Sequence, residues 1–141
     1  MQTKIGDVIS DFNNEIFIER EKIARLKQCN DDFIWNPYGE AAEWCNLKSY
    51  SKAMETKSCL FRSKDNYKME SHIHRNSYER VTVETEACEL ILFLITGEQI
   101  SMKYNDTFVI PKGVFHILWI KTAGTLKLDF DNGIDLINHF K

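Results

Sequence analysis

Three of the four histidines in this chain, together with a glutamate, form a candidate metal site. His72, His74 and Glu79 lie close together, and His116 follows a Pro-Lys-Gly turn much later in the chain. Imidazole nitrogen and carboxylate oxygen are ligands that suit iron, manganese, nickel and zinc. Four such donors leave one or two positions of a divalent ion for water, oxygen or substrate. The residue types therefore predict a divalent transition-metal site without fixing the metal.

Strand geometry decides whether the first three residues can meet. His72 and His74 are two residues apart, so on a β-strand their side chains point to the same face. Glu79 has the opposite parity for a straight strand, and a bend in polar residues 75–77 is needed to bring its carboxylate to the histidines. The alternative is a surface ion pair for Glu79. In that case the site has three histidines and different chemistry.

Most of the chain is predicted to be β-structure. Pro111 and Gly113 bend the chain just before His116, which then lies near the start of a strand. Between residues 58 and 130 short apolar or alternating runs are separated by turns, which is typical of an antiparallel sandwich or barrel. Residues 132–140 are predicted as a turn and a short closing helix. The predicted strands cover residues 58–62, 81–83, 88–95, 99–104, 107–110, 114–120 and 126–130.

Residues 1–39 are predicted to form an N-terminal helical arm, which precedes a domain spanning residues 40–141. The apolar residues at helical spacing in its first part are Ile5, Val8, Ile9, Phe12 and Ile16. The asparagines that follow allow either one long helix or a second helix over residues 15–28. The arm is interpreted as a cover for one face of the main fold or as a dimerisation helix. Residues 30–39, with Asn-Pro-Tyr-Gly at positions 36–39, are predicted as the turn that ends it.

Composition indicates a single globular domain. The chain has 141 residues, 43% of them hydrophobic and 28% charged, with a formal net charge of -3. Its basic residues are scattered among acidic ones, which argues against a nucleic-acid-binding face, and no apolar run is long enough for a membrane span. The first residues lack a signal-peptide pattern, so a cytoplasmic location is expected. The four cysteines stand far apart without a C-x-x-C pair, which favours reduced thiols.

The two histidine segments resemble the two sequence motifs of the cupins. The first cupin motif is G-x5-H-x-H-x3,4-E-x6-G, and the second is G-x5-P-x-G-x2-H-x3-N. The ligand positions of the first motif are filled here by His72, His74 and Glu79. The proline, glycine and histidine of the second are Pro111, Gly113 and His116. Every ligand position of the two cupin motifs is therefore filled in this chain.

The chain departs from the cupin motifs at their first and last positions. Asn66 and Asn105 replace the glycines that open the motifs, and asparagine is the residue next most willing to adopt a left-handed turn conformation. Glu86 and Ile120 replace the residues that close them. These positions belong to turns and to the rim, so the resemblance over residues 58–130 leaves the metal prediction intact.

The resemblance implies a small single-domain cupin, with a jelly-roll β-barrel, a metal near its centre and often a homodimer. The implied function is a metal-dependent enzyme on a small polar molecule, in the first place an iron dioxygenase-like enzyme. A sugar or carboxylate isomerase, epimerase or lyase is one alternative, and a non-catalytic module that binds a metabolite or metal is another. No catalytic residue is assigned.

The candidates for a substrate pocket are four residues near the motifs in sequence, Tyr67, Tyr78, Arg62 and Trp119. An inward-facing arginine would favour an anionic substrate. A tryptophan in such a strand is more often part of the core.

Overall fold

Two antiparallel β-sheets make up the part of the protein that the computed structural model describes, residues 35–49 and 55–135. The strands in chain order are β1 Asn36–Tyr38, β2 Ala42–Ser49, β3 Glu55–Ser63, β4 Tyr67–Lys68, β5 Glu79–Val83, β6 Glu89–Leu94, β7 Gln99–Met102, β8 Thr107–Ile110, β9 His116–Thr122 and β10 Gly124–Asp135. The prediction of a mostly β fold is confirmed.

The strands do not close into a barrel. Six of them form one sheet in the order β1-β2-β3-β10-β5-β8, and four form the other in the order β4-β9-β6-β7. The predicted jelly-roll β-barrel is therefore confirmed only as two antiparallel sheets, and the described strands show no closure into a barrel. The physical reason is that a jelly roll is a pair of sheets, whose interior is closed by packing rather than by a continuous hydrogen-bonded ladder.

The core lies between the two sheets because side chains alternate along each strand. Leu92 and Leu118 of the four-stranded sheet are at most 1% exposed, and so are Val81 and Leu128 of the six-stranded sheet. All four belong to one apolar cluster. Both β5 and β9 begin at the end of this core where the polar residues of the site gather.

The start of the described chain differs from the sequence prediction. Residues 36–38, predicted as a turn, form strand β1 against β2, and the turn follows at Gly39, whose φ is 61°. Pro37 is tolerated because β1 is an edge strand, where a missing N–H can face away from the ladder. Strand β2 has no clean alternation of apolar and polar residues, so its sequence gave no strand signal.

The predicted turn at residues 132–133 is absorbed into β10. Gly133 has a φ of 74°, and the pairing of β10 with β3 shifts register between Asp129 and Ile134. Ile134 then pairs with Thr56, so a helix does not begin at Ile134. A glycine at positive φ lets the strand bend and continue instead of ending.

The predicted N-terminal helices fall on residues 1–34, and most of the closing helix falls on residues 136–141. Both ranges lie outside the described residues. In the described part of the chain no helix is long and apolar enough to cross a membrane.

Two asparagines adopt the left-handed backbone conformation that the cupin motifs reserve for glycine. Asn66 has a φ of 56° and Asn105 a φ of 73°. The side chain of Asn66 also accepts a hydrogen bond of 2.9 Å from the Trp119 indole N–H. The prediction that asparagine replaces glycine in these turns is confirmed, and the two motifs therefore keep their turn geometry.

We expect Asn105→Ala to be less stable than Asn105→Gly by about 1 kcal/mol. Both substitutions remove the same side-chain contacts, but alanine is strained at positive φ and glycine is not. Chemical denaturation of the two variants measures the difference. Ser101, exposed on β7, serves as the matched control because alanine should there be the more stable replacement. Equal stabilities of the two Asn105 variants would contradict the assignment of backbone strain.

Candidate metal centre

Four side chains from three parts of the chain converge at one end of the core. Glu79 is the first residue of β5, His116 is the first residue of β9, and His72 and His74 lie between β4 and β5. Their candidate ligand atoms all lie within 4.8 Å of one another. His72 is aligned by its backbone, which exchanges hydrogen bonds of 3.1 and 2.9 Å with His116. The predicted set of four is therefore brought together.

Glu79 points inward and is 1% exposed. Its Oε1 lies 2.8 Å from Nε2 of His74 and 3.2 Å from Nε2 of His116. The polar bend before β5 allows this orientation. In that bend the Ser77 hydroxyl donates to the carbonyl of Gly133 at 3.0 Å, which ties the segment to β10. The surface ion pair considered as an alternative for Glu79 is not formed.

Two of the imidazoles are oriented by backbone carbonyls. Nδ1 of His72 lies 2.8 Å from the carbonyl oxygen of Glu70, and Nδ1 of His116 lies 2.9 Å from that of Val114. A carbonyl can only accept, so each Nδ1 carries the proton. Each ring can then offer Nε2 to a cation, and at His116 the cation would replace the proton that Nε2 shares with Glu79.

The cluster shifts the pKa values of its own members. Burial alone would raise the pKa of Glu79, but hydrogen bonds and charge from His116 and His74 hold that pKa well below its usual range. Burial alone would lower the pKa of His116, yet the hydrogen bond and the charge of Glu79 raise it. Burial dominates at His72 and lowers its pKa. Glu79 is thus a carboxylate and His72 a neutral imidazole near pH 7, the forms that bind metal.

The donor set fits a divalent cation. Oε2 of Glu79 is buried and has no hydrogen-bond partner among the described residues. A buried carboxylate oxygen without a donor is costly unless a cation lies beside it. Three imidazoles around one carboxylate are the donors that iron, manganese, nickel and zinc accept. The residues present therefore suit such an ion.

Neighbouring side chains close the inner side of the cluster and leave another side open to solvent. The ring of Phe130 packs edge-on against His74, with centroids 5.1 Å apart and planes at 68°. Phe130 pairs with Glu79 across the β10–β5 ladder and is 0% exposed. Its apolar ring keeps water from the inner side of the cluster. His72 is partly exposed, so the open side of the cluster is the side next to His72.

The charge of the cluster affects the pKa of one cysteine, Cys59. Burial raises its pKa well above the usual value, and the negative charge of Glu79 adds to the effect. Cys59 therefore stays a thiol and does not compete as a thiolate ligand. Cys45 and Cys88 are also buried, and none of these three cysteines forms a disulfide, which agrees with the predicted reduced thiols within the described ranges.

Two of the predicted pocket residues lie on the outer faces of the sheets. Arg62 stacks its guanidinium 3.7 Å above the ring of Trp35 and pairs with Glu43 at 3.2 Å. Trp119 stacks on Phe93, with ring centroids 6.3 Å apart. Neither is brought to the four candidate ligands.

The two predicted pocket tyrosines are partly buried. Tyr67 packs against Phe61 at 5.8 Å, and burial raises its pKa to about 12. It pairs with Ile120, four residues along β9 from the cluster. Tyr78 precedes Glu79 directly, and Lys112 Nζ lies 5.1 Å from the centroid of its ring. The sequence missed Phe130 as a neighbour of the site, because only the register of β10 against β5 places it there.

We expect Nδ1 of His116 to carry a proton both with and without bound zinc. The reason is the 2.9 Å contact with the carbonyl of Val114, which can only accept. Long-range nitrogen–proton correlation spectra of 15N-labelled protein measure the state of each ring nitrogen. A His116 ring protonated only on Nε2 would contradict the proposed orientation.

Comparisons with known proteins identify the fold but not a close relative. No family model and no curated protein matches the chain. Among solved structures, an RmlC-like cupin from Shewanella frigidimarina aligns with a TM-score of 0.63 at 17% identity, covering 76% of this chain and 90% of that one. KdgF from Halomonas sp. aligns with a TM-score of 0.59 at 19% identity, covering 77% and 95%. These likenesses show the fold alone.

A third similar structure is a domain of the protein CENP-C. The cupin domain of Drosophila melanogaster CENP-C aligns with a TM-score of 0.57 at 13% identity, covering 71% of this chain and 76% of that one. The same fold thus occurs in proteins whose names refer to quite different roles. Function has to be argued from the site.

Proposed function

We propose that this chain, whose fold is that of the cupin superfamily, binds a divalent transition metal and acts as a metal-dependent enzyme on a small polar molecule. The observation that carries the proposal is the convergence of three imidazoles on the buried carboxylate of Glu79, whose Oε2 has no hydrogen-bond partner in the described part of the chain. The ligands would be His72, His74, Glu79 and His116.

The side chains around the site suggest how a substrate is selected. Three neutral imidazoles and one carboxylate leave a divalent ion with net positive charge, which favours a substrate with an anionic or hydroxyl oxygen. Phe130 closes the inner side, so the substrate approaches past His72. A bound metal supplies Lewis-acid activation or, if it is iron, activation of oxygen. An iron dioxygenase-like reaction is our first specific proposal, and a sugar or carboxylate isomerase, epimerase or lyase is the second.

Purified protein should contain a transition metal at close to one ion per chain, measured by elemental analysis. His72→Ala and His116→Ala should each lose most of it, because each substitution removes one of four ligands. His139→Ala is the matched control and should keep its metal, since the sequence gives His139 no ligand role. A doubly substituted His72→Ala/His116→Ala protein with full metal content would overturn the proposed ligand set.

Iron-loaded protein should consume oxygen when it is offered a suitable small hydroxy or carboxylate substrate, followed with an oxygen electrode. Glu79→Gln should reduce the rate by about a hundredfold or more, because it removes a charged ligand and weakens the metal site. Glu89→Gln is the control, since Glu89 is an exposed carboxylate on β6. Turnover without oxygen uptake would favour the isomerase or lyase instead.

A non-catalytic binding module is the second class of function. The observation in its favour is the interior beyond the cluster, which is filled by apolar side chains such as Leu92, Leu118 and Phe130. That packing leaves the end of the interior with the four candidate ligands as the place where a metal or metabolite could bind. Metal binding without turnover of any substrate in the oxygen and isomerisation assays would favour this module.

A homodimer remains a proposal. On the outer face of the four-stranded sheet Ile95 is 71% exposed and Phe115 is 39% exposed. They line a shallow cavity of about 400 Å³ together with Phe93 and Ile117. Apolar surface of this kind favours contact with another protein. The cytoplasmic location expected from the sequence is likewise a proposal.

A further inference from the structure

Glu79 lies at the end of β5 where the β5–β10 ladder stops. The last pair of that ladder is Phe130 with Glu79. The next pair in the same register would be Tyr78 with Asp131, but β5 begins only at Glu79. The end of a strand opens more readily than its centre, because it lacks a neighbouring pair on one side. A side chain at such an end therefore needs other contacts to stay in place.

Strand β10 departs from regular pairing at the same level. Its register with β3 shifts between Asp129 and Ile134, so that four residues of β10 lie opposite one residue of β3. Residues 131–133 are paired with neither β3 nor β5, and we call them the β10 bulge. Bulges bend a strand and are frequent next to functional sites. The β10 bulge lies beside the bend at residues 75–78, which precedes β5.

Asp131 supplies a contact where the ladder has ended. Its Oδ1 accepts a hydrogen bond of 2.8 Å from the backbone N–H of Tyr78. The same oxygen accepts a hydrogen bond of 3.0 Å from the backbone N–H of Asn132, which orients the carboxylate. Both distances are normal for N–H···O hydrogen bonds. The residue directly before Glu79 is therefore held by the side chain of Asp131.

Two further hydrogen bonds join the β10 bulge to the bend. Nδ2 of Asn132 donates to the backbone carbonyl of Asn76 at 2.6 Å. The hydroxyl of Ser77 donates to the backbone carbonyl of Gly133 at 3.0 Å. Three consecutive residues of the bend, 76, 77 and 78, are thus tied to the bulge by side-chain hydrogen bonds.

The bend sets the relative position of two candidate ligands, because His74 directly precedes it and Glu79 directly follows it. Oε1 of Glu79 lies 2.8 Å from Nε2 of His74 and 3.2 Å from Nε2 of His116. A displacement of the carboxylate by about 1 Å away from the rings would take either contact beyond hydrogen-bond range. The contacts that hold the bend therefore also hold the donors in place.

We propose that the β10 bulge positions the metal ligands, with Asp131 as the principal positioning residue. The inference rests on the proposed metal-binding function and adds a residue that acts on the ligands through the backbone. Asp131 is not one of the four candidate ligands, and its carboxylate contacts the backbone of the bend. Loss of this carboxylate should let the start of β5 open and let the Glu79 carboxylate move away from the imidazoles.

The affinity of the full-length protein for cobalt(II), measured by competition with a chromophoric chelator, tests the proposal. Asp131→Ala should weaken binding about tenfold, the lower end of the effect of residues that orient metal ligands. Asp131→Asn should recover most of the affinity, because it keeps an oxygen that can accept from Tyr78. Asp106→Ala is the matched control and should leave the affinity unchanged. Oδ2 of Asp106 accepts from the backbone N–H of Lys103 at 2.9 Å, in the turn between β7 and β8.

A second measurement needs no metal. Long-range nitrogen–proton spectra of the metal-free protein report the hydrogen bonds at Nε2 of His74 and His116. In Asp131→Ala these signals should move toward their positions in Glu79→Gln, because both substitutions take the carboxylate away from the rings. Asp131→Asn and Asp106→Ala should leave the signals in place. The spectra thus separate a positioning role from a general loss of stability.

Asn132→Ala is an independent variant at an exposed position. It removes the 2.6 Å hydrogen bond to Asn76 and leaves the carboxylate of Asp131 in place. We expect it to weaken cobalt binding by a smaller factor than Asp131→Ala, because the contact with Tyr78 remains. If Asp131→Ala does not fold, unchanged affinity and unchanged ring signals in Asn132→Ala would overturn the positioning role of the bulge.

The outcomes separate this inference from the proposed function. Unchanged cobalt affinity together with unchanged ring signals in folded Asp131→Ala would overturn the inference while the metal site stands. Equal losses of affinity in Asp131→Ala and Asp106→Ala would also overturn it, since they would indicate a general effect of stability. If the unsubstituted protein binds no cobalt, the proposed function fails, and the metal-free spectra still decide whether Asp131 positions Glu79.

Discussion

The approach of the Glu79 carboxylate to His74 and His116 is the contact on which the candidate site depends. Its Oε1 lies 2.8 and 3.2 Å from the two Nε2 atoms, at the point where β5 begins. A carboxylate buried in an apolar core is tolerated only when donors or a cation surround it. The bend before β5 orients the carboxylate, and the backbone carbonyls orient the imidazoles of His72 and His116, so that the three imidazoles surround the charge of Glu79.

Strands β5 and β10 carry buried side chains on both of their faces. On the inner face they carry Glu79 and Phe130, and on the outer face they carry Arg80 and Asp129. The ion pair between Arg80 and Asp129 is buried, and the loss of either residue would leave the other charge buried with one partner fewer. The period of two residues along a strand allows this division, since neighbours in sequence are separated by the thickness of the sheet.

The sequence correctly predicted features that depend on residues close together in the chain, such as shared strand faces and turn conformations. His72 and His74 share a face because of strand parity, and Asn66 and Asn105 adopt positive φ because their turns require it. Strand β8 was predicted with its observed bounds, Thr107–Ile110, since its turns are marked by polar residues.

Features that depend on distant pairing were predicted only in part: the sequence indicated that a bend at residues 75–77 could bring Glu79 to the histidines, but it did not reveal the contacts that hold the bend. The inward orientation of Glu79 depends on a bend tied to β10, and Phe130 reaches the site only through the register of β10 against β5. Arg80, Lys127 and Asp129 have the parity of a solvent-facing row, yet they are buried. Parity assigns a face to a side chain, but it does not reveal whether another layer covers that face.

The location of the site suggests a link between metal binding and the stability of the fold. His116 belongs to the four-stranded sheet and Glu79 to the six-stranded sheet, and the described strands of the two sheets share no hydrogen-bonded ladder. An ion held by both residues would strengthen the link between the sheets at the point where His116 and Glu79 already form a hydrogen bond of 3.2 Å. A ligand that binds the folded state stabilises it by mass action, about 2.7 kcal/mol at a free concentration one hundred times the Kd. The same four residues would then supply chemistry and close one end of the sandwich, which gives a physical reason for placing the site between the sheets.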